Sequence, residues 1–255
     1  MTMFNIVLIA VAVIAVIVFV SLYFVDAGYG KMISPKWGPT IPNKIGWCLM
    51  ECPVFIVMLV LWATSEVKFS LPYLVFFLLF ELHYFHRSFV FPFLLTGKSR
   101  MPIAIMLLSI CFNLTNGFIQ GWWLFRIAPA EGYYCGAAWF KTFPFIAGVI
   151  LFIAGMYINR QSDWIIRHLR KPGDTKHYLP KGGFYNYVTS ANYFGEIVEW
   201  LGWAALTWSW AGFIFFIFTS ANLVPRANSI YHRYEKEFAD EFKERKLKRV
   251  FPFIY

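Results

Sequence analysis

Long apolar stretches alternate along this chain with short segments rich in charge, glycine and proline. The first stretch, Phe4 to Val25, holds no charged residue. A helix needs only about 20 apolar residues to cross a bilayer core of about 30 Å. Six further stretches follow, at about 45–64, 70–95, 101–125, 142–159, 184–208 and 209–232, and a polar tail covers 233–255. Continuous apolar runs, rather than strict alternation, predict helices and not a barrel, because a backbone in lipid must satisfy its own hydrogen bonds. The pattern therefore predicts an all-α membrane protein of seven transmembrane helices, forming a single integral membrane domain over residues 1–255. Its first stretch lacks a basic leader and exceeds the apolar region of a cleaved signal peptide, so it is read as a retained helix.

Composition agrees: 59% of residues are hydrophobic and 15% charged, against about a quarter charged in an ordinary soluble domain. The formal net charge of +9 has a topological origin. Lys31, Lys36 and Lys44 follow the first stretch, Lys98 and Arg100 the third, six basic residues lie between Arg160 and Lys181, and eight lie from Arg226 onward. The opposite loops carry only Lys68, Arg126 and Lys141. The positive-inside rule then puts the N-terminus outside and the C-terminus in the cytosol. These charges belong to a membrane face with its anionic lipid, and no aromatic-basic motif points to nucleic acid. The membrane is that of the endoplasmic reticulum or the bacterial inner membrane. There is no internal repeat or soluble second domain.

Charged groups at membrane depth are costly and call for a partner or a task. They are Glu51 in the second stretch, Glu81, His83, His86 and Arg87 with Tyr84 in the third, and Glu196 and Glu199 with Asn192 in the sixth. Asn192, Glu196 and Glu199 share one helical face at i, i+4 and i+7, and Tyr84 and Arg87 are three apart. Arg87 could simply pair with Glu81 or Glu199 to hold helices together, whereas Glu51 has no basic partner within its stretch. The fifth stretch exits through Asn159, Asp163 and Arg170, before Lys171, Pro172 and Gly173 end the helix. Asp163 and Arg167, four apart, could form a surface ion pair.

Three familiar motifs are excluded. His83 and His86 form an HxxH pair, but five histidines in all cannot furnish the histidine boxes of a membrane di-iron enzyme, and no metal is expected. Cys48, Cys52, Cys111 and Cys135 show no zinc or disulfide spacing. Asn113-Leu114-Thr115 spells a glycosylation sequon, but inside a span. The chain also lacks a GxGxxG turn, so a dinucleotide would be held without a Rossmann unit.

Four blocks carry a family resemblance: WCLMECP at Trp47–Pro53, LHYFHRSF at Leu82–Phe89, NRQSDWIIRHLRKPG at Asn159–Gly173 and GGFYNYVTSANYFGEIVEW at Gly182–Trp200. In order and spacing the chain from Tyr29 onward resembles the steroid 5α-reductases. That resemblance implies a buried pocket shared by NADPH, entering from the cytosolic side, and a 3-oxo-Δ4 steroid or similar apolar enone, entering from the membrane. It implies that Glu51 and Tyr84 hold the substrate's 3-keto oxygen. Asn159, Asp163, Arg170, Asn192, Glu196, Arg226 and Tyr234 match positions that line the NADPH site. Met50 departs from the family's frequent glutamine, leaving the particular steroid open. Asn228 to Tyr231 replace a histidine-rich stretch, and the tail alignment slips there by two residues.

The chemistry suits these residue types. An enone accepts hydride at its β-carbon because charge is delocalised to the carbonyl oxygen. A tyrosine hydroxyl and a protonated carboxyl can both donate to that oxygen. Arginines give phosphate the bidentate bonds that lysine does not. Alternatives are a trans-2-enoyl-CoA reductase, an isoprenylcysteine-type methyltransferase using S-adenosylmethionine, and a non-catalytic sterol binder. Cysteines substituted at Lys176 and Lys141 are expected to label from opposite sides of sealed vesicles. Labelling of both from one side by an impermeant reagent would overturn the predicted orientation.

Overall fold

The computed structural model describes residues 2–25, 37–96, 98–134, 136–171, 174 and 176–255. Lys31, Lys36, Cys135, Pro172 and Gly173 lie outside the described residues. In chain order the long elements are α1 (Met3–Ser21), α2 (Asn43–Ala63), α3 (Leu71–Leu94), α4 (Ile103–Ala130), α5 (Phe143–His168), α6 (Ala191–Thr207) and α7 (Trp210–Glu237). A short α8 (Ala239–Arg245) follows. The helices α1 to α5 are long and apolar enough to cross a membrane. The helix α6 has 17 residues, and the second half of α7 carries Arg226, Arg233, Glu235, Lys236 and Glu237.

The apolar surface is distributed as lipid would require. In α1 only the stripe Phe4, Leu8, Val11 and Ala15, at alternating spacings of four and three, is buried, whereas Ile9, Val13, Val16 and Ile17 are exposed. Such a surface would be an aggregation hazard in water and is normal against acyl chains.

Predicted and observed boundaries differ where backbone chemistry intervenes. The sixth stretch was expected to be helical from 184, but Gly182 and Gly183 have φ of 94° and 52° and introduce a 3-10 turn over Gly183–Asn186. The helix proper begins at Ala191. Trp208, at φ 43°, ends α6, and the Ser209 hydroxyl accepts from Gly212 N at 3.0 Å to start α7. The helix α5 ends at His168, ahead of the Lys171-Pro172-Gly173 stop. Two interruptions had no counterpart in the hydropathy pattern: π-helical turns at His86–Val90 in α3 and Trp123–Ile127 in α4. A small antiparallel ribbon also joins β1 (Thr40–Pro42) to β2 (Arg100–Pro102), with Ile41 opposite Met101, so the chain is mainly rather than purely helical.

The chain divides into two compact units, Met1–Leu8 with Asp26–Ile146, and Ile9–Val25 with Ala147–Tyr255. In the first, α2 packs chiefly along α4. Trp47, Met50, Phe91, Met101 and Met106 form one of its apolar clusters.

The second unit depends on a seam of glycines. Gly148 and Gly155 on α5, and Gly195 and Gly202 on α6, each recur after seven residues. A Cβ at Gly155 would collide with the Glu199 backbone nitrogen, and one at Gly195 with that of Asn159. Gly148 and Gly202 meet Leu206 and Phe152 in the same way. The two helices therefore run antiparallel with their backbones in contact, the arrangement that small residues allow where no hydrophobic force separates helix from lipid.

The tail 233–255, expected as a cytosolic segment beyond the last stretch, is folded onto this unit. Lys248 pairs with Val188 in a parallel bridge, Thr189 N and Ser190 N donate to the carbonyls of Lys248 and Arg249 at 2.9 and 3.2 Å, and Arg245 donates to Pro180 O and Tyr185 O at 3.0 and 2.7 Å.

Gly155→Ala is expected to lower thermal stability in detergent by about 1–3 kcal/mol, the usual cost of overpacking. Gly155→Leu should prevent folding. A wild-type melting temperature for Gly155→Ala would show that the backbones are not in contact.

Candidate active site

The carboxyl of Glu51 on α2 and the hydroxyl of Tyr84 on α3 are both engaged by amides of α4. Asn113 Nδ2 donates to Glu51 Oε2 at 3.2 Å and to Met50 O at 2.5 Å. Asn116 Nδ2 donates to the Tyr84 hydroxyl oxygen at 3.2 Å, and Gln120 Nε2 donates to Asn116 Oδ1 at 3.3 Å. Tyr84, Asn113, Asn116 and Gln120 are buried and Glu51 half-buried. Buried amides are tolerated only when hydrogen-bonded, and these are bonded in two separate sets, Asn113 with Glu51 and Gln120–Asn116 with Tyr84.

The charge pattern and family resemblance mark Glu51 and Tyr84 but not Asn116 and Gln120, and Asn113 stands out in the sequence only as part of an unusable sequon. The signal was available. Positions 113, 116 and 120 are i, i+3 and i+7 on an otherwise apolar helix, a polar stripe that one helical face shares.

Around Tyr84 the helix is not uniform. The π-turn His86–Val90 starts two residues beyond it, and such turns recur at functional sites. Arg87 lies in that turn, its guanidinium 4.5 Å from the Trp47 ring centroid and 4.8 Å from that of Phe91. The expected alternative of an Arg87–Glu81 ion pair is not formed: both Glu81 carboxyl oxygens are buried without a hydrogen-bond partner among the described residues.

The second unit gathers another polar cluster where α5 meets α6. Asn159 Nδ2 donates to Asn192 O at 2.9 Å and to Glu196 Oε2 at 3.4 Å. Asn192 Nδ2 donates to Asp163 Oδ1 at 3.3 Å, and the Tyr185 hydroxyl donates to Asn192 Oδ1 at 3.4 Å. Asp163 is buried and bound from α6, so it is not the surface residue that a pairing with Arg167 would make it. Four of the expected residues, Asn159, Asp163, Asn192 and Glu196, thus form one hydrogen-bonded group. Tyr185 joins it unforeseen. Glu199 lies within electrostatic reach of Arg160.

Tyr234 packs with Leu179, Phe242 and Leu247 and is within electrostatic reach of Tyr185 and Arg170. Arg170 is exposed just beyond the end of α5. Beside it, the Lys176 N–H and the Tyr178 hydroxyl donate to Asp174 at 2.8 and 2.7 Å and hold that carboxyl below the ordinary carboxylate range, with Arg170 acting in the same direction. Arg226 Nε donates to Asn222 Oδ1 at 2.9 Å, one turn back on α7. No three His, Cys, Asp or Glu residues gather to hold a metal among the described residues.

Apolar helices long enough to cross a membrane, with polar groups held inside them, define a multi-pass membrane protein that presents a carboxyl and a phenol from neighbouring helices. The sequence profile of 3-oxo-5-alpha-steroid 4-dehydrogenase matches residues 99–255. "Steroid 5-alpha-reductase DET2" of Gossypium hirsutum is 38% identical, covering 100% of this chain and 98% of its own length. The Arabidopsis thaliana protein of the same name is 39% identical over 92% and 90% of the two chains, and "3-oxo-5-alpha-steroid 4-dehydrogenase 2" of Sus scrofa is 38% identical over 96% and 94%. The chain belongs to the 3-oxo-5-alpha-steroid 4-dehydrogenase family and is an oxidoreductase.

Proposed function

We propose that the protein reduces the Δ4 double bond of a 3-oxo-Δ4 steroid to the 5α product, with the 3-keto oxygen held by Glu51 and Tyr84 and with NADPH as reductant. Family membership and the names of the relatives support the reaction. The observation that carries the residue assignment is the convergence of Glu51 and Tyr84, from different helices, on one amide stripe of α4.

Negative charge grows on the ketone oxygen as C5 is reduced, and donors aimed at that oxygen are worth more in the transition state than in the ground state. Tyr84 donates its phenolic proton. Glu51 donates when its carboxyl carries a proton. Both groups are fixed by hydrogen bonds before substrate arrives, so little reorganisation accompanies the reaction.

The second unit suits a dinucleotide. Its amides and carboxylates, Asn159, Asn192, Glu196 and Asp163, match the hydrogen-bonding needs of a carboxamide and ribose hydroxyls. The hydroxyl of Ser190, buried beside Asn192, has no partner among the described residues and could take one from a ligand. Arg170 and Arg226 would hold the phosphates, and Tyr234 would line the same site. When bound, NADPH supplies a hydride to C5. On this reading the chain crosses its membrane seven times, with α6 and α7 as the last two crossings, the N-terminus outside and the C-terminus cytosolic; the distribution of basic residues supports that orientation.

Tyr84→Phe is expected to lower kcat roughly 10²- to 10³-fold, the usual cost of losing one oxyanion donor, with NADPH affinity near wild type. Glu51→Ala should do at least as much harm, and Glu51→Gln, which keeps a donor, should retain partial activity. The measurements are kcat, cofactor affinity and melting temperature for each variant. Near-normal turnover in both Tyr84→Phe and Glu51→Ala would sink the assignment.

A further inference from the structure

Tyr84, Asn116 and Gln120 are each almost completely buried, with 3%, 1% and 1% of their surface exposed. Their bonds run in one sense, from Gln120 Nε2 to Asn116 Oδ1 and from Asn116 Nδ2 to the Tyr84 oxygen. A phenolic hydroxyl has one proton and two lone pairs. Receiving a proton from Asn116 occupies a lone pair, so what Tyr84 offers to a further partner is its proton. With the amide reversed, Asn116 Oδ1 would accept that proton instead, and Tyr84 would turn lone pairs toward a ketone oxygen that can itself only accept.

The orientation of a buried amide is decided by its neighbours. Gln120, one turn along the same face of α4, donates to Asn116 Oδ1 and so turns Nδ2 to the phenol. Asn113 acts in the same sense at the other group, because it donates to Glu51 Oε2 and leaves the carboxyl's proton, when present, to Oε1. Asn113 and Asn116 thus each present a donor to a group that must itself donate.

We propose that Asn116, oriented by Gln120, is a positioning residue that sets the direction of the Tyr84 hydrogen bond and so makes the phenol a donor to the substrate ketone. This rests on the assignment of Tyr84 to the 3-keto oxygen. A purely structural amide would stabilise the helix pair whether or not the phenol carried a hydroxyl. A positioning amide acts only through that hydroxyl.

The test is turnover of progesterone, a 3-oxo-Δ4 steroid, by the full-length purified protein with NADPH. The variants are Asn116→Leu, Asn116→Asp and Gln120→Met, each made alone and in a Tyr84→Phe background. Asn116→Leu is expected to lower kcat about tenfold, the equivalent of one hydrogen bond, with NADPH affinity unchanged. Asn116→Asp, which accepts the phenolic proton, should approach the roughly 10²-fold loss of Tyr84→Phe. Gln120→Met should cost about threefold to fivefold. In the Tyr84→Phe background all three losses should shrink to less than about twofold, the non-additivity expected of residues that act as one unit. Equal losses in both backgrounds, or wild-type kcat in Asn116→Leu, would overturn the proposal. If the Asn116 variants do not fold, Gln120→Met in the two backgrounds decides by the same criterion. Normal turnover in Tyr84→Phe itself would instead remove the ketone assignment on which the proposal stands, whereas an impaired Tyr84→Phe beside an unimpaired Asn116→Leu removes the positioning role alone.

Discussion

The contact between the backbones of α5 and α6 governs the polar cluster of the second unit. Without side chains at Gly155 and Gly195, the main chain of one helix rests on the other, and Asn159 is brought against the Asn192 carbonyl. An added methyl group at either glycine would separate the helices and break a bond of 2.9 Å before it disturbed any apolar packing. Hydrogen bonds between helices in a membrane are individually modest, so a polar cluster of this kind needs the close approach that backbone contact gives it. The hook formed by Leu247–Tyr255 serves the same end. By pairing with Val188–Ser190 it fixes the segment that leads into α6, and hence the first turn of the helix, where Asn192 lies.

The first unit solves a different problem. A carboxyl and a phenol, the two groups proposed to donate to the ketone, stand on separate helices and are engaged from a third by amide nitrogens. Amides suit this task because they donate without carrying charge into an apolar region, where an ion would be far more costly. The π-turn at His86–Val90 begins two residues after Tyr84, and Arg87 within it lies over the rings of Trp47 and Phe91.

Hydropathy made most of this architecture legible. Long charge-free runs can satisfy their backbone in lipid only as helices, and positions such as Glu51, Asn159 and Asn192 stand out because burying them requires a reason. Other features are less visible in one dimension. The 3-10 turn ahead of α6 depends on two glycines with positive φ, which composition does not distinguish from ordinary turn residues. The π-turns follow from local side-chain packing, not from hydrophobic period. Asn116 and Gln120 were overlooked since uncharged amides scarcely lower the hydropathy of a span, although their spacing with Asn113 marks one face. The glycine seam was equally open to reading, as repeats of seven on two neighbouring helices, but only the antiparallel pairing of α5 with α6 gives that spacing its meaning.

The proposed reaction delivers hydride to C5 of a 3-oxo-Δ4 steroid. The direct measurement is turnover of progesterone with NADPH deuterated at the transferable position of nicotinamide C4, followed by NMR of the steroid product. The predicted result is one deuterium at C5 in the α configuration, with C4 carrying a proton from solvent and the 3-ketone intact. Deuterium at C3, a 5β product, or an unchanged steroid after full saturation with both compounds would contradict it.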